Sequence, residues 1–296
     1  MFRPDCSLSN TPSYHSMQHP LPASLPLIEA VTPLLRTRRF GREIRGYPSV
    51  GSTNTLATDW AAKGAPEGAV VVAEHQTAGR GRMGRTWEAK AGHNLTFSVV
   101  LYPRLPPETL SLIILASSVA VAEAVAAFTA PHETTIKWPN DVLLDGRKCC
   151  GMLLESTLTT GQARPTVILG IGLNVNQATF PPSLEHTATS LLLTTGHLIE
   201  RAPLLALLLE RLEAQYTTLL DAGGGPVQKA YKDRLHGLNA PLTLHLPEAG
   251  QTVEGLLDGI TETGALRLQT TDGLRTFHAG DVTTHRAGGF RVEDRG

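Results

Sequence analysis

The chain has 296 residues, of which 41% are hydrophobic and 18% are charged, and its formal net charge is −1 at pH 7. That length is typical of about two domains, and that composition is typical of a globular protein. A net charge so close to zero argues against a protein whose main partner is nucleic acid or a membrane surface.

The N-terminal residues 1–23 are rich in Ser, Pro, His and Asn and contain no apolar run, which predicts a disordered tail without a signal peptide. Cys6 lies in this tail, whereas Cys149 and Cys150 are adjacent in the chain. The three cysteines therefore form neither a disulfide framework nor a metal-binding spacing. We expect a protein of the reducing cytoplasm.

Short apolar runs, helical patterns and turn residues alternate over residues 24–236. They predict strands over 44–50, 68–74, 95–102, 134–138 and 166–175, and a hairpin over 142–156 around Asp145-Gly146. They also predict helices over 24–39 (with Ser24 as its cap), 55–63, 107–128, 203–220 and 226–235. The apolar helix 107–128 includes Glu123 and a Ser-Ser pair, which favours a buried core helix over a membrane span.

The pattern changes after Gly237. Short β-like runs occupy 241–246, 251–258, 264–270 and 274–278, and glycines separate them. This spacing predicts a small β-barrel at the C-terminal end of the chain.

The segment 79–85, here called the glycine–arginine loop, reads Gly-Arg-Gly-Arg-Met-Gly-Arg and contains no acidic residue. Glycines allow backbone N–H groups to approach a ligand closely, and arginines present planar forks that match carboxylate and phosphate groups. Such a loop is poorly stable when empty, because its charges repel, and should become ordered around a polyanion. The pattern therefore favours a site for an acyl phosphate.

Three other interpretations compete for this loop. A P-loop needs a helix directly after it, but the segment 86–94 contains a glycine and leads into a strand. An RNA-binding loop is disfavoured because no aromatic or basic clusters surround it. A single Arg-Gly pair would be consistent with a solvated loop without function, but a loop with three arginines and three glycines in seven residues is not typical of one.

Two lysines lie near the predicted hairpin. Lys137 begins the sequence Lys-Trp-Pro-Asn-Asp, and Lys148 follows the hairpin tip. A lysine near a turn is usually a solvated charge, but two of them beside a tryptophan and an Asn-Asp pair form a better anion site. The glycines of the predicted strand Gly170-Ile171-Gly172 indicate either a close approach by a ligand or tight packing between strands.

Taken in their order along the chain, these motifs resemble those of the biotin–protein ligase family. The resemblance covers about residues 34–286. The matching positions are Ser52-Thr53-Asn54, Gln76 with Gly79-Arg80-Gly81-Arg82, Trp87, Lys137-Trp138-Pro139-Asn140-Asp141, Lys148 with Gly151, and Gly170-Ile171-Gly172-Leu173-Asn174. The segments 264–266 and 280–282 are similar to the family's C-terminal barrel. Each motif alone is moderately specific, and the ordered set is strongly specific.

The resemblance implies a fold and a division into domains. The fold would be an α/β (α+β) catalytic domain like that of class II aminoacyl-tRNA synthetases, with a mixed sheet, followed by a small SH3-like β-barrel. The expected boundaries are 1–23 for the tail, 24–236 for the catalytic domain and 237–290 for the barrel.

The resemblance also implies an activity and its residues. ATP and biotin would be the substrates, with Mg²⁺ accompanying ATP, and biotin would pass through biotinyl-5′-AMP to a lysine of a biotin carboxyl carrier protein. The residues expected to line the biotin site are Ser52, Thr53, Asn54, Gln76, Gly79, Arg80, Gly81, Arg82 and Lys148. Those expected to face ATP or the adenylate are Arg82, Trp87, Lys137, Asn140 and Asn174. Lys148, Arg82, Lys137 and Asp141 are the expected catalytic residues, with Asp141 holding the acceptor lysine or magnesium in the absence of a dedicated metal site.

Two features depart from the family pattern. Met83 stands where a basic residue is common, which should weaken attraction for a triphosphate without abolishing activity. Some relatives begin with a winged helix–turn–helix, whereas the segment before Ser52 is short and half of it has the composition of a disordered tail. This short segment argues against DNA as a partner, and the near-zero net charge argues against a membrane. We expect either a monomer or a homodimer. Lipoate–protein ligases, which share the fold, remain the nearest alternative.

Overall fold

The computed structural model describes residues 25–158, 164–247 and 250–284. The predicted tail 1–23, including Cys6, lies outside these residues. Ser24, the expected cap of the first helix, and residues 285–290 of the expected barrel also lie outside them.

Within the described residues the larger sheet contains seven strands, which are β1 (Ile44–Tyr47), β2 (Val70–Ala73), β3 (Leu95–Leu101), β4 (Thr134–Lys137), β5 (Asp141–Leu144), β6 (Arg147–Thr157) and β7 (Thr166–Leu173). Their spatial order is β1-β2-β3-β7-β6-β5-β4. The β1–β2 pair is parallel, and the other neighbouring strands are antiparallel. The sheet is therefore mixed, as expected. Asp145 and Gly146 have φ values of 48° and 76°, which form the predicted tight turn between β5 and β6.

Helices cover both faces of this sheet. They are α1 (Pro26–Val31), α2 (Thr53–Ala62), α3 (Ser111–Thr129), α4 (Leu191–Thr195), α5 (Arg201–Ala222) and α6 (Gly224–Lys232). Because side chains alternate along a strand, Val71 joins the cluster beneath α2, while Val70 and Val72 join the main core with α3 and α5. Strands covered on both faces are continuously apolar, as β2 and β3 are.

The long apolar helix α3 is a core helix. With the short turn before it, it is long and apolar enough to cross a membrane, but 67% of its apolar 18-residue window is buried inside the protein. The hydroxyls of Ser117 and Ser118 donate to the carbonyls of Ile113 and Ile114, and Glu123 accepts from Gln215 on α5. The polar residues of this helix are thus satisfied within the fold.

The smaller sheet contains β8 (Pro241–Leu246), β9 (Gln251–Ile260), β10 (Leu266–Thr270), β11 (Gly273–Phe277) and β12 (Asp281–Thr284), in the order β11-β10-β9-β8-β12. Its neighbouring strands are antiparallel, as expected for an SH3-like barrel. Its apolar side chains belong to the same core cluster as those of the larger sheet, and Trp138 donates from Nε1 to the carbonyl of Gly264 across the junction at 3.0 Å. The two sheets therefore pack directly against each other.

The predicted helix over 24–39 was wrong in length. The helix α1 ends at Val31, and one 3₁₀ turn over Thr32–Leu34 follows it. Pro33 has no N–H to donate within a helix. Beyond it, the backbone N–H groups of Arg38 and Arg39 donate to the carboxylate of Glu213 on α5 at 2.7 and 2.9 Å. A partner distant in sequence replaces the helical hydrogen bonds here.

Other boundaries also differ from the predictions. Ser52 is the N-cap residue of α2. Thr53 and Asn54 therefore belong to the first turn of this helix and do not precede it. A single residue, Gly223, separates α5 from α6, because its φ of 74° breaks the helix. The short helix α4 and the strand β12 were not predicted as elements.

Candidate functional site

A cavity of about 1040 Å³ opens between the larger sheet, the glycine–arginine loop and the start of β12. Every residue that the sequence nominated for the site lines it, although those residues come from six separate segments of the chain. They are Ser52, Thr53, Asn54, Gln76, Gly79, Arg80, Gly81, Arg82, Trp87, Lys137, Asn140, Asp141, Lys148 and Asn174. The individual roles expected for them remain proposals.

Strand register explains how distant motifs converge. Gly151 of β6 pairs with Gly172 of β7, and Asp141 of β5 pairs with Gly151. Lys137 pairs in turn with Asp141 across the β4–β5 hairpin. The lysine motif and the glycine-containing strand therefore lie side by side at one region of the sheet.

The first turn of α2 is fixed to Gln76, which lies three residues beyond the end of β2. The Oε1 atom of Gln76 accepts hydrogen bonds from the backbone N–H and the hydroxyl of Thr53, at 2.7 and 3.0 Å. Ser98 of β3 lies 2.8 Å from that hydroxyl. Gln76 acts here as the acceptor for a helix N-terminus whose N–H groups lack partners within the helix.

Asn54 is held at both ends of its amide. Its Oδ1 accepts from Ser98 at 2.6 Å, and its Nδ2 donates to Glu155 at 2.6 Å. A Cβ atom at Gly170 would come within 2.3 Å of this amide, so the glycine provides the space that Asn54 occupies. The residue is buried, and both polar atoms of its amide have a partner in the protein.

Gly151 and Gly172 form a floor beneath the indole of Trp87. A Cβ atom at Gly172 would lie 2.3 Å from the indole, and one at Gly151 would lie 3.2 Å from it. Among the described residues, neither the buried indole Nε1 nor the buried Oδ1 of Asn174 has a hydrogen-bond partner. Buried polar atoms without partners are costly, and the two residues that carry these atoms both line the larger cavity.

Lys148 is the cation on this floor. Its Nζ lies 2.7 Å from Oδ1 of Asp141 and 5.9 Å from the centre of the Trp87 ring. Its backbone is bound on both sides by the segment after β7, since its N–H donates to Thr187 and its carbonyl accepts from Thr189. Burial raises the pKa of the neighbouring Cys149 thiol to about 12, so this cysteine is a packing residue rather than a nucleophile.

Arg82 joins the loop to two other elements. Its Nη1 donates to Oδ1 of Asn140 at 3.1 Å, and its Nη2 donates to the carbonyl of Gly280 at 3.4 Å. Burial lowers the pKa of Arg82, and the nearby carboxylate of Asp141 opposes that effect. A guanidinium stays charged even so. This one is largely withdrawn from water, and its electric field is stronger in that less polar environment.

The smaller sheet contributes a carboxylate that the sequence reasoning missed. Asp281, at the start of β12, binds Nη1 of Arg85 at 3.0 Å and lies 4.0 Å from Nζ of Lys137. The only sequence signal was its position in the Gly-Asp-Val match of the C-terminal segment. Two cations of the site are therefore placed by the barrel.

Arg80 does not point its guanidinium at the other cations. Its Nη2 donates to both carboxylate oxygens of Glu155, at 3.0 and 2.9 Å. This pair lines a second cavity of about 610 Å³ on the other side of the glycine–arginine loop. Glu155 carried no sequence signal, since it stands near the end of a predicted strand.

Met83, the departure noted in the loop, adopts a left-handed backbone conformation (φ 55°, ψ 40°), and its side chain is exposed. It does not line the larger cavity, whereas Arg82 and Arg85 on either side of it do. The substitution therefore leaves the two cations that face the cavity in place.

No group of three or more His, Cys, Asp or Glu that could hold a metal occurs within residues 25–158, 164–247 and 250–284. Asp141, the carboxylate expected to bind magnesium, is bound to Lys148. This donor set does not fit a dedicated magnesium site.

Comparisons with known proteins agree with this geometry. The sequence profile of the Biotin/lipoate A/B protein ligase family matches residues 46–174, and that of the Biotin protein ligase C terminal domain matches residues 244–283. The chain is 38% identical over 245 residues to the biotin–[acetyl-CoA-carboxylase] ligase of Mycobacterium tuberculosis, covering 81% of this chain and 88% of that one. It is 34% identical over 250 residues to the bifunctional ligase/repressor BirA of Bacillus spizizenii, covering 84% and 76%.

A solved structure shares the fold. It is the biotin protein ligase from Aquifex aeolicus in complex with biotin and ATP, with a TM-score of 0.72 and 27% identity. The match covers 83% of this chain and all of that one. The similarity therefore extends over both sheets.

Proposed function

This chain belongs to the biotin–protein ligase family, and we propose that it joins biotin to ATP and transfers the biotinyl group to a lysine of a carrier protein. The observation that carries the proposal is the convergence of all the nominated residues on one cavity, with Arg82, Lys137 and Lys148 among them. A positively charged cavity beside a glycine floor suits a reaction between a carboxylate and a phosphate.

The first half-reaction brings two anions together. The biotin carboxylate attacks the α-phosphate of ATP, an acyl–phosphate bond forms, and pyrophosphate leaves. Lys148 and Lys137 offset the repulsion between the reactants, and Arg82 adds charge from a largely buried position. Asp141 keeps Lys148 in place through the 2.7 Å ion pair. Magnesium, where it takes part, would arrive with the phosphates of ATP.

The intermediate must then be kept from water. The glycine–arginine loop lies over the cavity, and Arg82 ties it to Asn140 of the β4–β5 turn and to the barrel. A closed, dry site protects an acyl-adenylate from hydrolysis. Trp87 and Asn174, whose Nε1 and Oδ1 find no partner among the described residues, are the side chains that we assign to the adenylate.

The second half-reaction forms an amide with the carrier. The acceptor lysine attacks the acyl carbon as a neutral amine, the acyl–phosphate bond breaks, and AMP leaves. We assign to Asp141 the orientation of this amine and the acceptance of its proton, since it is the carboxylate nearest to Lys148. The carrier would be the biotin carboxyl carrier protein of a carboxylase, and the reaction would take place in the cytoplasm, where Cys149 and Cys150 stay reduced.

Pyrophosphate exchange into ATP tests the first half-reaction without a carrier. The protein is assayed with biotin, with lipoate and with neither acid. We expect exchange that depends on biotin. Exchange with lipoate alone would keep the mechanism and change the substrate, whereas no exchange with either acid would contradict the proposed activity.

A further inference from the structure

Glu155 of β6 connects two parts of the cavity wall that are far apart in the sequence. Its carboxylate accepts from Nδ2 of Asn54 at 2.6 Å and from Nη2 of Arg80 at 2.9 and 3.0 Å. Asn54 belongs to the first turn of α2, and Arg80 belongs to the glycine–arginine loop. One carboxylate therefore holds a helix and a loop to the same strand.

The Asn54 side of this connection is rigid. The side chain is 4% exposed, its Oδ1 is bound by Ser98, and Gly170 leaves it only the space that it fills. Asn54 therefore gives Glu155 a fixed anchor in the sheet.

The Arg80 side of the connection lies at the base of the loop. Arg80 and Thr86 form an isolated bridge, and the N–H of Trp87 donates to the carbonyl of Gly79 at 3.0 Å. A Cβ atom at Gly79 would approach the Trp87 carbonyl to 2.4 Å, so the two chain segments at the start and end of the loop are in close contact. Fixing Arg80 fixes the base of the loop and, through it, the backbone that carries Trp87.

We propose that Glu155 is a positioning residue for biotin: through Arg80 and Asn54 it sets the distance between the glycine–arginine loop and the first turn of α2, where the biotin site is assigned. This proposal rests on the proposed function. Glu155 lines the second, smaller cavity rather than the larger one, so it acts through Asn54 and Arg80 and not by touching the substrate.

Kinetics of pyrophosphate exchange separate this role from general stability. Glu155→Ala should raise the KM for biotin about tenfold, because a misplaced wall of the site weakens binding steeply, and should leave the KM for ATP nearly unchanged. Glu155→Gln keeps one acceptor and should give an intermediate KM for biotin. Because Glu155 acts on the loop through Arg80, the loss in the Glu155→Ala/Arg80→Ala double variant should be smaller than the sum of the losses in the two single variants.

Asp258→Ala is a matched control. Asp258 binds Arg267 in the smaller sheet, and the side-chain exposures of that pair, 36% and 38%, are close to the 39% and 48% of Glu155 and Arg80. It should change neither KM. Unchanged KM for biotin in Glu155→Ala, additive effects in the double variant, or a parallel rise in both KM values would each overturn the proposal. Wild-type protein without biotin-dependent exchange would instead overturn the proposed function, and this proposal with it.

Discussion

Lys148 is placed by contacts on three sides. Asp141 binds its ammonium, the centre of the Trp87 ring lies 5.9 Å from its Nζ, and the backbone at Thr187 and Thr189 holds its main chain. A lysine that is positioned so closely in a cavity can offset charge without reorganising during the reaction.

Lys148→Ala should therefore lower the rate of biotin-dependent pyrophosphate exchange by about 100-fold or more. Lys229→Ala is the control, because Lys229 is exposed on α6 and pairs with Asp233 one turn away. Equal exchange rates in Lys148→Ala and the wild type would remove Lys148 from the chemistry.

Gly172 tests the floor beneath Trp87. In Gly172→Ala the new methyl group would stand 2.3 Å from the indole, which must then move away. Overpacking of this kind costs about 1–3 kcal/mol, and displacing the indole should raise the KM for ATP more than the KM for biotin.

Gly225→Ala serves as the matched glycine variant, since a Cβ atom there meets open space. Both variants should unfold cooperatively, and their KM values are compared in the exchange assay. An unchanged KM for ATP in Gly172→Ala would mean that the indole does not contribute to the nucleotide site.

At the scale of elements, the glycine–arginine loop is held shut by Arg82 through Asn140 and the carbonyl of Gly280. Arg82→Gly removes both contacts and a largely buried charge. We expect release of biotinyl-5′-AMP to become about tenfold faster, with a smaller loss in the rate of its synthesis.

Release is measured from preformed complex by dilution, and synthesis by single-turnover kinetics. Arg104→Gly, in an exposed segment after β3, should change neither rate. Slower synthesis with unaltered release would show that Arg82 acts on the reacting phosphate and not on loop closure.

His236, in the segment between α6 and β8, predicts a pH dependence of stability. Burial lowers its pKa, Glu133 opposes this effect, and Lys137 adds to it. The folded protein therefore favours the neutral ring, and the unfolded chain binds the proton more readily. The stability that this ring contributes is complete above about pH 6.5, the usual pKa of histidine, and is lost as the pH falls through the lower folded-state pKa.

The midpoint of thermal unfolding of the wild type should consequently fall more steeply between pH 7 and pH 5 than that of His236→Gln. The ring also lines the cavity beside Lys137, so the comparison is made without ligand. Parallel pH profiles for the two proteins would contradict the depressed pKa.

Local patterns predicted the elements well where the chemistry of a few adjacent residues decides the backbone. The Asp145-Gly146 turn and the continuously apolar strands β2 and β3 are examples. The predicted length of the first helix was wrong because the backbone N–H groups of Arg38 and Arg39 donate to Glu213 on α5 and not within a helix. Local sequence contains no information on such a partner.

The same limit applies to the site. Its lining residues could be nominated because they form recognisable motifs, and the comparisons confirm the family that those motifs indicated. Glu155 and Asp281 were missed because each is a single carboxylate whose importance comes from a guanidinium 75 or 196 residues away in the chain. Only the register of the sheets brings these pairs together.

At the scale of the whole molecule, the two sheets form one working unit around the cavity. Their apolar side chains share a core, Trp138 is bound to Gly264, and Asp281 reaches from the smaller sheet to Arg85 and Lys137. The barrel therefore contributes directly to the placement of charge in the site. Both adenylation and transfer should depend on it.

The most direct test is the complete reaction. The protein is incubated with ATP, biotin and a biotin carboxyl carrier domain, and the intact mass of the carrier is measured. We predict a gain of one biotinyl group that requires both substrates and disappears when the acceptor lysine of the carrier is replaced by arginine. A carrier of unchanged mass, from wild-type protein that is folded and supplied with both substrates, would contradict the account.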